Sequence, residues 1–241
     1  MAEQEVIKHT KKIFTVWGSN KGFWHKLGEF LIEIIIIVFA ISLSIYVHDR
    51  SELKHQRHET KEFLLGLKQD LKTDTAEMND DKNSFLLSGK AFSYISNIKK
   101  DEQLNKDSIR KYYQWIFTTT GLIPNNGRFE GFKSSGKIGT IENKELQNNI
   151  MDLYQENIPN LLASTNYYTA KKQRLFDYVA ISQKRTTGNS TNLVVVLASD
   201  QAFNISSTLN SVKEILERYD ICINKMITII KEIDKEYGKK E

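Results

Sequence analysis

Glu33 is the one charged residue in an apolar run, Phe30 to Val47, and Glu29 stands one helical turn before it on the same face. A carboxylate placed in lipid is costly unless it is paired, so Glu29 and Glu33 are the first candidates for an ion path or a self-association site. The plainer use is that Glu33 reaches the headgroup layer or pairs with Lys26. Ala40 and Ser44 add a small-xxx-small face through which two spans can approach closely. Further along, His48, Glu52, His55, His58, Glu59 and Glu62 recur at spacings that share one helical face. Imidazoles and carboxylates spaced this way can hold a metal, and histidine titrates near neutral pH. Metal sites usually draw ligands from more than one element and need supporting partners, so solvated helix surface is the simpler expectation and no metal is assigned.

The other chemical motifs fail on their details. Gly131, Gly136 and Lys137 imitate the start of a phosphate-binding loop, but Ile138 stands where the magnesium-binding hydroxyl belongs and no apolar strand precedes it. Tyr112, Tyr113, Trp115 and Phe117 could stack on bases, yet no basic groove accompanies them, and core packing is expected. The 34 basic and 30 acidic residues are interleaved, for a net charge of +4, which argues against a nucleic-acid partner. All five histidines fall within the first 58 residues, and no nucleophile, base and orienting acid stand in order, so a non-enzyme without a cofactor is expected. Cys222, between Ile221 and Ile223, reads as a buried structural thiol.

The elements that must position these groups are helical. With 12 glycines and 2 prolines in 241 residues, the composition favours long helices. The eighteen residues Phe30–Val47 would span roughly 27 Å as a helix, close to the ~30 Å hydrocarbon core. Cleavage after Val38-Phe39-Ala40 would cut this run in half, so an uncleaved signal anchor is expected. Lys8, Lys11, Lys12, Lys21 and Lys26 before it nearly balance Arg50, Lys54, Arg57 and Lys61 after it, so orientation rests on the short arm and the long following domain: N-terminus in the cytoplasm. Phe14, Trp17, Phe23 and Trp24 would form an aromatic collar at the inner face.

After the span, Leu64, Leu67, Leu71 and Met78 keep a heptad-like seam on a juxtamembrane stalk, and polar residues from Thr73 to Asn83 predict the first turn. Helices are expected over Ser84–Lys99 and Lys106–Thr118, then a short one over Arg128–Ser135 ended by Gly136, with Asn143 starting the next. Pro159 should kink or split the following stripe, which reaches towards Ile181. Leu193–Ser199 is β-like but partnerless, so an extended or helical segment is expected. The last helix has the cleanest seam: Val212, Ile215, Tyr219, Cys222, Met226, Ile229 and Ile233. It should dock against Leu64–Met78 or against a second copy. The expected architecture is all-α: an arm at 1–25, a transmembrane helix at 26–48, a stalk helix at 49–82, and an extracytoplasmic helical bundle at 83–241.

Several stretches together resemble an uncharacterised family of single-span membrane proteins of Gram-negative bacteria, a domain of unknown function. They are Gly28-Glu29 opening the apolar run, Arg57 with Lys61-Glu62 leading to LLGLKQDL (Leu64 to Leu71), and FEGFKSSGKIGTIENKELQNNIMDLY (Phe129 to Tyr154), in which Ser134-Ser135-Gly136 is the most specific piece. Where the family carries a Trp-containing stretch after the span, this chain has Val47-His48-Asp49-Arg50. The resemblance implies an inner-membrane anchor with a helical periplasmic domain, and no functional residues carry over.

The two seams motivate a first functional expectation, a membrane-anchored scaffold of the cell envelope that binds itself or an envelope partner through them. The alternative is an input subunit of an envelope sensor or signalling complex, since a helical domain joined to one span can pass a movement inward. Membrane lipid is the remaining expected partner.

Overall fold

The computed structural model describes residues 23–98 and 106–238. Among the described residues eight α-helices are formed: α1 (Phe23–Ser96), α2 (Lys106–Phe117), α3 (Gly127–Ser134), α4 (Lys144–Asp152), α5 (Ile158–Ser182), α6 (Leu193–Leu197), α7 (Asp200–Ser207) and α8 (Lys213–Tyr237). No strand occurs among the described residues, and the all-α expectation holds. The arm with Lys8, Lys11, Lys12, Phe14, Trp17 and Lys21 lies outside the described residues, as do the side chains of Phe23 and Lys26.

The 74 residues of α1 form one helix, and the boundary between two compact units falls within it, between Glu59 and Thr60. In the first unit α1 carries the apolar run, long and apolar enough to cross a membrane, and none of that window is buried inside the protein. This separates it from the core helix of a soluble domain. Trp24, Ile35, Phe39 and Val47 are all exposed along it.

In the second unit α1 turns Leu64, Leu67, Leu71, Met78, Phe85 and Phe92 inward. Helix α8 runs antiparallel to it, as its polar ties show: Lys68 meets Asp234, and Lys82 meets Asp220. Between these ties Thr75 Oγ1 lies 3.5 Å from Met226 Sδ. Ile215, Tyr219, Cys222, Met226, Ile229 and Ile233 are all buried along α8. Helix α5 adds Leu161, Tyr168 and Leu175, with the Tyr168 ring edge-on to Phe85 at 5.5 Å. Burying each large side chain contributes about 1.5–3 kcal/mol, so these matched seams supply the main stabilisation of the unit.

The turn expected at Thr73–Asn83 does not form, and Ser84–Lys99 is not a separate helix: α1 continues to Ser96. The polar residues there are satisfied without breaking the helix. Thr73 and Thr75 donate back to the Gln69 and Leu71 carbonyls, and Asn79 donates to Thr75 O. Packing also begins earlier than residue 83, with Thr60, Phe63 and Leu64 already buried. Phe63 stacks on Phe132 at 3.9 Å.

Local signals elsewhere are kept. Gly136 ends α3 with φ 75°, a left-handed conformation that glycine adopts without a Cβ clash. The Asn143 side chain accepts from Leu146 N and caps α4. Ahead of Pro159 the chain widens into one π-helical turn, Leu153–Asn157, closed by Ile158 N–H donating to Leu153 O. Proline has no N–H to give, and the wider turn lets the helical path continue into α5. The β-like run becomes the short α6, which buries Val196 and Leu197 and leaves Val195 exposed.

Candidate functional site

A strap of irregular chain, Thr118 to Asn126, runs along α1 and is fastened by a ladder of carboxylates. Asp70, Asp74, Glu77 and Asp81 follow one another on α1 at intervals of four, three and four residues. Asp74 is fully buried and accepts from the Asn125 main-chain N–H at 3.1 Å and from its side-chain amide at 2.5 Å. Glu77 Oε1 accepts from Ile123 N–H at 3.3 Å. Asp81, 6% exposed, accepts from the Thr120 hydroxyl and from the Tyr219 hydroxyl at 3.3 Å. Beyond the strap, Arg128 Nε on α3 bonds Asp70 at 2.9 Å. Its guanidinium crosses over Gly66, where a Cβ would sit 2.4 Å from Arg128 Cζ.

Burial pushes the Asp74 carboxyl above its ordinary 3.8, outweighing the opposing hydrogen bonds from Asn125. Asp81 is raised for the same reason, against the bonds from Thr120 and Tyr219. Tyr154, in the π turn, is 7% exposed and stacks on Phe129 at 4.4 Å. Its hydroxyl has no hydrogen-bond partner among the described residues; burial raises its pKa, followed by the charge of Asp74.

The start of the strap is held by a cation. Lys172 on α5 is 2% exposed, and its Nζ donates to Trp115 O at 2.8 Å and to Thr118 O, the carbonyls where α2 ends. Ser88 Oγ also donates to Trp115 O, at 3.1 Å. The ammonium lies 5.7 Å from the Phe92 ring centre and 5.9 Å from that of Phe176. Burial lowers its pKa from 10.5 to about 8. The folded state therefore binds fewer protons than the unfolded chain between these values, and its stability rises with pH across that window. Against Lys172→Met, the native chain is expected to gain stability as pH is raised from about 8 to about 10, measured by urea unfolding. A pH-independent difference would show that the ammonium is not held against burial.

A shallow cavity of about 320 Å³ opens beside the π turn, lined by Glu156, Asn157, Asn160, Glu214, Glu217, Arg218 and Ile221. Its guanidinium is committed: Arg218 Nε and Nη2 hold Glu214, and Nη1 donates to Asn160 O at 3.0 Å.

The seam residues proposed as an interaction surface are not available as one. Leu64, Leu67, Leu71, Met78, Val212, Ile215, Tyr219, Met226, Ile229 and Ile233 are all buried in the chain's own core. They cover one another within the chain, because α8 returns antiparallel to α1 at matching register. Glu33 Oε2 has no hydrogen-bond partner among the described residues, while Ala40 and Ser44 lie exposed on α1. His48 and Glu52 approach to 3.9 Å, and His55 and Glu59 to 3.4 Å, as neighbours one turn apart on exposed helix surface. Gly131 sits inside α3, so the phosphate-loop imitation has no loop. Cys222 is buried, and its thiol is pushed up to about 11 by burial. Lys172 was legible in principle, since it continues the buried stripe Thr165, Tyr168, Leu175 and Val179.

Residues 33–230 match a family described as one of unknown function, DUF6090. The chain belongs to that family. The match takes in most of the apolar run, the carboxylate ladder, the strap, Lys172 and α8 as far as Ile230, so the strap and its fastenings lie within the family domain. No curated protein and no solved structure matches the chain.

Proposed function

We propose that this protein is a membrane-anchored input subunit of the cell envelope, whose helical domain passes its state to a second membrane protein through α1. The observation that supports it is the continuity of α1: one helix supplies both the candidate span and the Leu64–Met78 seam of the domain core. A change in how that seam packs acts directly on the helix that enters the membrane, by rotation or displacement. In this reading the domain lies in the periplasm, since long domains translocate largely regardless of charge. The scaffold alternative lost its seams to the core, but it keeps the exposed apolar side chains of Ile181 and Val195, 84% and 68% exposed.

The two roles separate by where a partner touches. Photo-crosslinkers placed at Ile35 and Phe39, and in separate chains at Ile181 and Val195, are introduced into the full protein in its native membrane. A second membrane protein captured from Ile35 or Phe39 supports the input role. Protein capture from Ile181 or Val195 alone, with only lipid at Ile35 and Phe39, supports the scaffold. Capture of nothing but lipid and solvent rejects both.

A further inference from the structure

We propose that Asp74 and Asp81 make the strap a proton-operated clasp: protonation of the two carboxyls locks Thr118–Asn126 against α1, and their ionisation loosens it. This stands independently of the role proposed above. Both carboxyls are buried and both accept from the strap: Asp74 from Asn125, and Asp81 from Thr120 as well as from Tyr219 of α8. The α1–α8 pairing has its own buried seams and its own ion pairs, while the strap is joined to the core through Leu122, 5% exposed, and through Lys172 at Thr118.

The surroundings set the direction. Asp74 faces Asp70 and Glu77 from its own helix, Asn125 from the strap, and the Tyr154 hydroxyl from the π turn; Arg128 of α3 is bonded to Asp70. Asp81 faces Glu77 and Asp80 from α1, Thr120 from the strap and Tyr219 from α8. Two like charges beside each carboxyl add to the penalty that burial places on its ionised form.

With the strap closed, burial holds both carboxyls above 3.8; with the strap released and the carboxyls hydrated, they return towards 3.8. The closed form thus binds more protons in the window above 3.8, so closure is fully favoured below that window and is lost as pH rises through the closed-state values. Each linked proton changes the closed-to-open ratio by up to about tenfold per pH unit.

The test uses the full chain in lipid nanodiscs. Hydrogen exchange at the Ile123 and Asn125 amides is followed from about pH 4 to about pH 7, corrected for the intrinsic pH dependence of exchange, with α8 amides as the reference. Protection of the strap is expected to fall as pH rises, by up to about a hundredfold per unit where both carboxyls titrate together. The double variant Asp74→Asn, Asp81→Asn should flatten that slope while α8 stays unchanged. Strap protection that is flat or that rises with pH, or a variant with the native slope, overturns the clasp. Carbon NMR titration of the native carboxyls keeps the proposal falsifiable where the variant fails to fold. Midpoints above the ordinary aspartate value support it, and midpoints at or below that value overturn it.

Discussion

Leu71→Ala is expected to remove about 2–5 kcal/mol from the stability of the helical domain. Leu71 is fully buried on α1, one turn from Thr75, whose hydroxyl meets Met226 across the helix pair. Deleting its branched end loses the transfer energy of the side chain and leaves a cavity between two long helices that cannot collapse independently. A loss of this size is a large share of the roughly 5–15 kcal/mol that holds an ordinary domain together. Leu53, five turns earlier on the same helix and 53% exposed, is the matched control. Leu53→Ala should change stability by less than about 0.5 kcal/mol. Urea unfolding of the full chain in detergent, followed by helical circular dichroism, measures both. Equal effects would mean that packing on α1 does not begin near Thr60.

Phe129→Ala should cost about 3–5 kcal/mol and act first on one region. The stretch from Gly127 to Ile141 holds four glycines, one short helix and a single 3₁₀ turn, so it has little regular structure of its own. Its fully buried side chains are Phe129 and Ile141, 0% and 1% exposed, beside the Phe132 stack on Phe63 and the Arg128 bond to Asp70, and Phe129 also stacks on Tyr154 beneath the Lys133 ammonium. Removing the ring takes away the partner that keeps Tyr154 in place beside the Asp74 clasp. Amide exchange in 127–141 is expected to speed up before exchange in α8 does, and uniform loss across the unit would contradict this ordering.

Much of this fold was legible as pattern. The seam of α8 shows in its alternating threes and fours, Gly136 marks a helix end, Asn143 caps the next, and Pro159 marks an interruption. What misled was the polar run Thr73–Asn83, because polarity was taken for solvent exposure. Asp74 and Asp81 are polar and buried, and their partners lie 51 and 39 residues away in the strap, a distance no local pattern can express. Lys172 itself continues a buried stripe, but its partners were hidden similarly: they are main-chain carbonyls, which every sequence possesses at every position. The seams were seen correctly, with docking on each other left open beside docking on a second copy, since periodicity reports an apolar face and not whose face covers it.

That assignment, both seams closing on each other within one chain, is the claim on which the rest depends. It is tested by mixing isotopically light and heavy full-length chains in membranes and treating them with a zero-length carbodiimide crosslinker. Lys68–Asp234 and Lys82–Asp220 bonds joining peptides of the same isotope only are the expected result. Light-to-heavy bonds at these pairs, in the proportion of random mixing, would show that the seams belong to an interface between copies and would contradict it.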